Sequence, residues 1–383
     1  MSSLPKLGAD ATAHSHALLS VITEEISANG GWLSFERLMQ LVLYQPTLGY
    51  YSGGAQKFGI GGDFVTAPEV SPLFAKCVAQ QAAQILQETK GEVLELGAGT
   101  GQLAYDLLTE LHALNQLPKH YYILEVSEYL RGIQQEKINK LAEHLIEKVI
   151  WLDRLPEAFE GLIFANEVLD ALPVSLVKNT IQGLVEVGVR FENAQLLWAE
   201  KPINAGALLE YSKALNLPVD YQTEVCLSAT GLVNSISECL HKGAVLLVDY
   251  GFGRAEYYHP QRHEGTLMCH FQHYAHSDPL INLGLQDVTS HVNFTQIAEA
   301  GLAAGCELAG YTNQAYFLIN CGLTEILSQT SADDIAQYLP LTTSANKLIS
   351  PAEMGDLFKV IGLTKNLPID LIGFATGDKT HML

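Results

Sequence analysis

The sequence predicts an α/β fold built on a doubly wound, mostly parallel sheet. Short apolar runs alternate with helical stretches along most of the chain, and this alternation is typical of parallel strands joined by crossover helices. The second observation is the stretch Glu92–Leu103, which reads EVLELGAGTGQL. An apolar strand, a tight glycine turn and a helix start follow one another there, as in the first turn of a nucleotide-binding sheet.

Helices are predicted ahead of the sheet. Apolar side chains recur at helical spacing over 14–29 and 34–44. Ser71 followed by Pro72 predicts a helix start, because serine caps the first turn and proline fits the first helical position. This helix is expected to run to about Thr89. The predicted strands of the sheet lie at 92–96, 121–126, 148–152, 161–166, 244–249, 306–311 and 357–362.

Two stretches interrupt the alternation of strands and helices. A minimal sheet of this kind joins its fourth and fifth strands through one helix. This chain places a hairpin (183–191 and 195–199) and a helix (223–241) between them. We therefore predict a helical N-terminal cap at 1–90 and a sheet domain at 91–383, with insertions at about 171–242 and 312–356.

The glycine turn carries the cofactor prediction. Gly97, Gly99 and Gly101 supply backbone conformations that other residues resist, and they let a ligand lie close to the main chain. A dinucleotide fingerprint would need a third glycine where the sequence has Gln102. The spacing E-x-G-x-G-x-G, which begins at Glu95, resembles instead the first motif of class I S-adenosylmethionine (SAM) methyltransferases. A nicotinamide or flavin nucleotide, and a turn that binds no ligand, remain the alternatives.

A second acid supports a nucleoside-containing cofactor. Glu125 lies at the end of the next predicted strand, 24 positions after Gly101 (125 − 101). Doubly wound folds place an acid near that distance, where it accepts hydrogen bonds from the ribose hydroxyls. We therefore assign Glu125 to the cofactor, with a solvated acid at a strand end as the alternative.

Polar side chains follow the predicted fourth strand, at the edge of the sheet where ligands bind in such folds. Asn166, Glu167 and Asp170 offer one amide and two carboxylates there. If a helical turn starts at Glu167, the i, i+3 spacing places both acids on one face, where they can grip a guanidinium. We predict Glu167 and Asp170 as catalytic and assign Asn166 to the cofactor site. The alternative is that Asn166 or Asp170 only caps a helix start.

Two further catalytic residues are predicted later in the chain. Asp249 ends the predicted fifth strand next to Tyr250, and an Asp-started glycine turn is the alternative. His291 offers a general base, and a histidine with a structural role is its alternative. Histidines also crowd 259–276, but their spacing fits no compact metal signature, so no metal site is predicted.

Composition narrows the class of partner. The 42 acidic and 22 basic residues give a formal net charge of −20, and no run of Lys or Arg stands out. Nucleic acid is therefore a poor candidate for the partner, whereas a cationic substrate agrees better with the negative charge of the protein. No apolar run reaches the length of a membrane span, and the N-terminus has no signal-peptide or transit-peptide pattern. Six scattered cysteines without a C-x-x-C pair suit a reducing compartment. A cytoplasmic protein without membrane insertion is therefore expected.

Longer blocks of residues carry a family resemblance. They are LGYY (48–51), GDFVTAPEVSPLF (62–74), NEVLDALP (166–173), DYG (249–251), EGTL (264–267) and DVTSHVNF (287–294). On these blocks, and on the glycine loop, the chain resembles the MidA-like proteins (domain of unknown function 185). This family of class I methyltransferases includes the mitochondrial arginine methyltransferase that assists assembly of respiratory complex I. The resemblance covers nearly the whole chain.

The resemblance implies SAM as the methyl donor, S-adenosylhomocysteine as the product and the arginine side chain of a partner protein as the acceptor. That partner is expected to be a protein such as a respiratory-complex subunit, and a homodimer is left open. The resemblance also implies that Asp63, Thr66 and Glu69 close the cofactor pocket. Asn293 departs from the family's usual aspartate, which weakens an acid role there. A small-molecule or lysine methyltransferase, and a non-catalytic SAM-binding assembly chaperone, remain the alternative functions.

Overall fold

The computed structural model describes residues 4–53 and 66–383, which fall into two compact units. The parallel-sheet unit comprises Val65–Val168, Leu232–Arg254 and Val292–Leu383. The antiparallel-sheet unit comprises the chain before residue 65 together with Leu169–Gly231 and Ala255–His291.

Strands and helices are numbered in chain order. The strands are β1 (Leu33–Ser34), β2 (Glu92–Leu96), β3 (Tyr121–Leu124), β4 (Val149–Leu152), β5 (Phe159–Asn166), β6 (Ser175–Thr180), β7 (Gly183–Glu192), β8 (Gln195–Pro202), β9 (Tyr221–Val225), β10 (Leu240–Phe252), β11 (Met268–Phe271), β12 (Tyr274–His276), β13 (Asp287–Thr289), β14 (Val292–Asn293), β15 (Glu307–Asn313) and β16 (Phe358–Lys365). The helices are α1 (Ala9–Ala28), α2 (Phe35–Tyr44), α3 (Ala67–Val70), α4 (Pro72–Thr89), α5 (Gln102–Ala113), α6 (Glu128–Ile138), α7 (Glu143–Ile146), α8 (Ala207–Ala214), α9 (Leu227–Cys239), α10 (Arg254–Tyr257), α11 (Phe294–Ala303), α12 (Gln314–Asn320), α13 (Leu323–Ser328), α14 (Ile335–Ile349) and α15 (Met354–Leu357).

The large sheet of the parallel-sheet unit has the strand order β15-β16-β10-β5-β2-β3-β4, and β14 pairs with the end of β10. The strands β10, β5, β2, β3 and β4 run parallel, whereas β16 is antiparallel to both of its neighbours. The chain leaves β2 for β3 on one side and returns to β5 on the other. This reversal is the topological switch point where doubly wound folds bind ligands. The predicted fold class is therefore confirmed.

Apolar runs and helix caps explain why these elements form. The central strands are covered on both faces, so they read as nearly continuous apolar sequence, and 244–248 is almost fully buried. The helix α4 begins as predicted, because the hydroxyl of Ser71 accepts from the backbone N–H of Leu73 (3.2 Å) and Pro72 takes the first position. Apolar residues of α4 and α5 join the strands in one core.

The antiparallel-sheet unit contains a five-stranded sheet of order β1-β7-β6-β9, with β8 paired to β7, and a three-stranded sheet of order β12-β11-β13. Its core consists of apolar residues from α1, α2 and the strands facing them. The predicted hairpin is present as β7 and β8. The strands β6 and β9 were not predicted, because their short sequences lack a clear alternation of apolar and polar side chains. The helix predicted over 223–241 is shorter, since its first residues belong to β9.

The grouping of the two units differs from the predicted domain boundaries. The helix α4, assigned from sequence to an N-terminal cap, contacts α5 and β5 and belongs to the parallel-sheet unit. A unit defined by contacts is not a domain defined by independent folding, so the boundary at residue 90 stays a prediction. Among the described residues, the helices include none that is both long and apolar enough to cross a membrane.

Candidate functional site

The glycine loop lies between the end of β2 and the start of α5, beside the switch point. Gly97, Gly99 and Gly101 all have positive φ angles, of 62°, 51° and 80°. A Cβ atom placed on Gly99 would meet nothing within 4 Å, so the open side of the loop has room for a ligand against the backbone. The loop thus has the left-handed conformations and the free space that the sequence motif predicts.

Glu95 lies on β2 just before the loop and is buried, with 3% of its surface exposed. Its carboxylate accepts a hydrogen bond from the hydroxyl of Tyr121 on the neighbouring strand (2.7 Å). Burial raises the pKa of Glu95 to about 7, a rise that the Tyr121 hydrogen bond opposes and the charge of Glu125 increases. Glu95 therefore ties the loop strand to β3, and its predicted contact with the cofactor stays a prediction.

Glu125 follows β3 and is buried, with its two carboxylate oxygens held by different donors. One oxygen accepts from the backbone N–H of Ser127 (2.9 Å), and the other accepts from the side-chain amide of Gln134 (3.0 Å). Burial raises the pKa of Glu125, and these hydrogen bonds counteract the rise. Each carboxylate oxygen has two lone-pair sites, so both can still accept a ribose hydroxyl.

Gln134 connects the glycine loop to Glu125 and is fully buried. Its amide nitrogen donates to the carbonyl of Gly99 (3.0 Å) and to the carboxylate of Glu125, while its oxygen accepts from the indole N–H of Trp151 (3.0 Å). The two N–H donors and the oxygen of the amide each have a partner, so the orientation of the amide is fixed. Gln134 is therefore a positioning residue for the loop and for the acid.

Sequence reasoning missed Gln134, although the sequence holds a signal for it. The buried residues of α6 are Leu130, Gln134 and Ile138, at i, i+4 and i+8. Gln134 thus occupies a position on the apolar stripe of an otherwise polar helix. A polar residue at such a position needs buried partners, and this is the observation that would have singled it out.

Glu69 contacts the glycine loop. It lies on the short helix α3, and its carboxylate accepts a hydrogen bond from the hydroxyl of Thr100. Thr66 stands at the N-cap position of α3 without a capping side-chain hydrogen bond. Asp63 lies outside the described residues. The predicted role of these three residues at the cofactor stays a prediction, and the contact of Glu69 is consistent with it.

Asn166 and Glu167 form a pair at the carboxyl end of β5. The Asn166 amide donates to the Glu167 carboxylate (2.9 Å), and its carbonyl oxygen is buried without a hydrogen-bond partner among the described residues. The backbone of Glu167 has a φ of 54°, and its N–H donates to the carbonyl of Val248 on β10 (2.9 Å). A non-glycine residue in this left-handed region costs about 1 kcal/mol or more, and such strain is concentrated at functional sites.

The helical turn on which the predicted pairing of Glu167 and Asp170 depended is not observed. No helix starts between β5 and β6 in the described chain, because the left-handed backbone of Glu167 turns the chain instead. The i, i+3 argument for a shared face was therefore wrong. Glu167 belongs to the parallel-sheet unit, whereas Asp170 is buried within the antiparallel-sheet unit.

Asp249 is fully buried in the parallel-sheet unit, but it does not end its strand. The strand β10 continues to Phe252 because its last residues pair with β14. Asp249 lies opposite Lys359 on the antiparallel neighbour β16. The alternative of an Asp-started turn is therefore wrong, and a catalytic role for Asp249 stays a prediction.

His291 belongs to the antiparallel-sheet unit, where its backbone N–H donates to the hydroxyl of Thr266 (3.0 Å). Thr266 is held in turn by the buried carboxylate of Glu224, which accepts from its backbone N–H and its hydroxyl. Gly265 has a φ of 82°, and a Cβ there would come within 2.2 Å of the Glu224 carboxylate. Only glycine fits at this position of the EGTL block. A general-base role for His291 stays a prediction.

The histidine-rich segment forms no recognisable metal centre. Among the residues that the structure describes, no group of three or more His, Cys, Asp or Glu side chains is arranged to hold a metal ion. His259 instead accepts from the backbone N–H of Gln261 (3.2 Å), and His276 from that of Asp278 (3.2 Å).

The residues of the parallel-sheet unit fit SAM. The open face of Gly99 leaves room for the cofactor against the backbone, and Glu125 offers acceptors for ribose hydroxyls. The buried carbonyl oxygen of Asn166 can accept a hydrogen bond from an amino group. Gln102, where a dinucleotide fold has its third glycine, interacts instead with Asp106 (2.7 Å) and Lys137. The fold and this site define a SAM-dependent methyltransferase of class I.

Comparison with known proteins gives the family. Residues 77–312 match the family model Methyltransf_28, described as "Putative S-adenosyl-L-methionine-dependent methyltransferase". The match covers more than half of the chain, and the chain belongs to this family. The MidA-like assignment and SAM as the cofactor are thereby confirmed.

Solved structures and curated relatives extend over most of the chain. A COG1565 superfamily member from Burkholderia thailandensis, solved bound to S-adenosyl-homocysteine, is 46% identical, covers 100% of both chains and superimposes with a TM-score of 0.96. The mitochondrial protein arginine methyltransferase NDUFAF7 of Danio rerio is 27% identical over 90% of this chain and 86% of its own. The Homo sapiens protein of the same name is 26% identical over 87% and 80%.

We predict that the stability contribution of Glu95 depends on pH. The unfolded chain releases this proton near pH 4.5, whereas the folded ligand-free protein holds it to about pH 7. The folded state therefore binds more protons between these values, and its stability falls as the pH rises. The side chain of the Glu95→Gln variant cannot ionise. The free energy of unfolding of the variant minus that of the wild type should therefore increase by about 2 to 3 kcal/mol from pH 5 to pH 8.

Denaturant unfolding at each pH measures this difference, and the exposed Glu88→Gln provides the matched control. The control should stay within about 0.5 kcal/mol of the wild type throughout. A pH-independent difference for Glu95→Gln would mean that Glu95 is ionised across the whole range.

We predict that Gln134→Glu weakens cofactor binding. The replacement keeps the shape but removes both N–H donors, and it sets a carboxylate against the Gly99 carbonyl and Glu125. The affinity for S-adenosylhomocysteine should fall about 10-fold or more. Calorimetry measures this affinity at a temperature at which melting curves show that the variant is folded. The control is Gln135→Glu, an exposed neighbour on α6 that should bind like the wild type. Equal affinities of the two variants would show that Gln134 does not contribute to cofactor binding.

Proposed function

We propose that this methyltransferase transfers the methyl group of SAM to an arginine side chain of a partner protein. The names of the vertebrate relatives, which call them protein arginine methyltransferases, support this acceptor. The net charge of −20 supports it as well, since an acidic surface attracts a cationic substrate.

The observation that carries the proposal is the carboxylate of Glu167. It lies at the carboxyl end of β5, next to the switch point, and the amide of Asn166 holds it in place. Its left-handed backbone is held by the hydrogen bond to Val248, which fixes the direction in which the side chain leaves the strand. A carboxylate prepared in this way suits the positioning of a cationic acceptor.

The chemistry of an arginine acceptor explains why carboxylates are needed. SAM supplies a methyl group bound to a sulfonium, which a nitrogen nucleophile can accept. A guanidinium starts as a cation, because its pKa lies far above neutral pH. It must lose a proton to water as the new C–N bond replaces the methyl–sulfur bond, which would leave S-adenosylhomocysteine. Carboxylates beside it orient the nitrogen and stabilise the developing charge. Glu167 serves this role in our proposal.

Methyl-labelled SAM tests the acceptor class. The protein is incubated with labelled SAM and a lysate of its source cells, and labelled proteins are hydrolysed to amino acids. The proposal expects label in methylated arginine. Label in methyllysine or in the small-molecule fraction would identify one of the alternative enzymes. SAM binding without any transfer would favour the non-catalytic assembly chaperone.

We predict that Glu167→Gln separates methyl transfer from cofactor binding. The substitution keeps the shape and removes the charge, so S-adenosylhomocysteine affinity should stay near the wild-type value. Single-turnover methyl transfer should fall by roughly 10²-fold or more. The exposed Glu157→Gln is the control and should retain both properties. If affinity and transfer fall together, Glu167 serves the cofactor or the fold; if neither falls, the acceptor lies elsewhere.

The remaining features of this proposal are predictions of the sequence. They are Asp170, Asp249 and His291 as further catalytic residues, a respiratory-complex subunit as the partner, a cytoplasmic location and a domain boundary at residue 90. The question of a homodimer stays open. The labelled protein in the lysate experiment would identify the partner directly.

A further inference from the structure

Hydrogen bonds tie three separate segments of the antiparallel-sheet unit together around one phenol. The hydroxyl of Tyr51 donates to the carboxylate of Asp287, with both oxygens within 3.1 Å. The ring of Tyr51 stacks on Tyr44 (centroids 5.6 Å apart), whose hydroxyl donates to the carbonyl of Ala171 (2.8 Å). The residues 44–51, 170–171 and 287–290 therefore form one cluster.

Asp170 is the second acid of this cluster. The backbone carbonyl of Asp170 accepts a hydrogen bond from the backbone N–H of Ser290 (3.0 Å), which lies three residues after Asp287. Asp170 is 5% exposed and Asp287 is 2% exposed. The pKa of Tyr51 is raised well above its ordinary value by burial, and then by the charges of Asp287 and Asp170. The phenol therefore keeps its proton and donates a hydrogen bond to Asp287.

Thr289 provides an independent sign that the cluster accepts a ligand. It lies two residues after Asp287 on β13, so the two side chains leave the same face of the strand. Thr289 is 2% exposed, and its hydroxyl has no hydrogen-bond partner among the described residues. A buried hydroxyl beside a carboxylate is expected to have a partner, and a ligand with several N–H donors would supply one.

We propose that Asp170, Asp287, Tyr51 and Thr289 bind the guanidinium of the arginine acceptor. A guanidinium presents five N–H donors in a planar fork, which matches a carboxylate in bidentate geometry. The cluster offers it two carboxylates, the phenol oxygen of Tyr51 and the hydroxyl of Thr289. The hydroxyl of Tyr51 donates to Asp287, so its own oxygen acts as an acceptor. This inference rests on the proposed arginine acceptor and assigns its guanidinium to these four residues of the antiparallel-sheet unit.

Direct binding tests the site without requiring turnover. The probe is the blocked tripeptide Gly-Arg-Gly, titrated into the full-length protein saturated with S-adenosylhomocysteine. Its counterparts carry citrulline, which has the same shape without charge, or lysine, which has charge without the planar fork. The arginine peptide should bind best, and the citrulline peptide at least 10-fold more weakly. Equal binding of the arginine and citrulline peptides, or no binding of the arginine peptide, would overturn the proposal.

Variants then assign the binding to these residues. Asp287→Asn should weaken binding of the arginine peptide about 10-fold or more, with unchanged S-adenosylhomocysteine affinity. Tyr51→Phe removes one hydroxyl and gives a milder test if Asp287→Asn fails to fold; a loss of about 3-fold or more is expected. The exposed Asp278→Asn, in the same segment, is the control for loss of charge and should bind like the wild type.

Unchanged peptide binding in both Asp287→Asn and Tyr51→Phe would contradict the assignment. The labelled-lysate experiment decides the acceptor class separately. Methylated arginine with normal peptide binding by these variants would refute this inference alone. Label in another acceptor would refute the proposed function whatever the variants do.

Discussion

The buried amide of Gln134 is the interaction on which the cofactor end of the parallel sheet depends. Its nitrogen bonds the carbonyl of Gly99 and the carboxylate of Glu125, and its oxygen bonds the indole of Trp151. The turn after β2, the acid after β3 and the strand β4 are thereby held by one side chain. Because the Gln134 side chain is fully buried, leaving one of its polar atoms unpaired would cost about 1 to 3 kcal/mol. The loop geometry is therefore fixed before the cofactor arrives.

Buried acids are a recurring constraint in this molecule, and uncharged donors hold many of their bonds. Glu95 accepts from a phenol, and Glu125 accepts from a backbone N–H and an amide. Glu224 accepts from two backbone N–H groups and two hydroxyls. Such donors oppose the rise in pKa that burial causes in each of these acids. The formal net charge of −20 attracts a cationic substrate.

The sequence was sufficient for the parallel sheet and for the glycine loop, because both depend on local patterns. The strand β2 lies at the predicted residues, and the glycines have the left-handed conformations that the motif requires. The helix expected at Glu167 failed, because a hydrogen bond to β10 holds that residue in a left-handed conformation that local spacing cannot reveal. Asp287 was not singled out because its partner is distant in sequence, and Gln134 was missed although it lies on the apolar stripe of α6. Tyr51 is separated from Asp287 by 236 positions, and Gly99 from Gln134 by 35.

Calorimetric titration of S-adenosylhomocysteine and NAD tests the central claim most directly, which is that the glycine loop holds SAM. The wild type is compared with Gly99→Val and with Gly305→Val, a control that shares the positive φ and the open surroundings of Gly99. The account predicts that S-adenosylhomocysteine binds the wild type and Gly305→Val alike, that Gly99→Val loses this binding while remaining folded, and that NAD binds far more weakly. Comparable or tighter binding of NAD, or unchanged affinity in Gly99→Val, would contradict it.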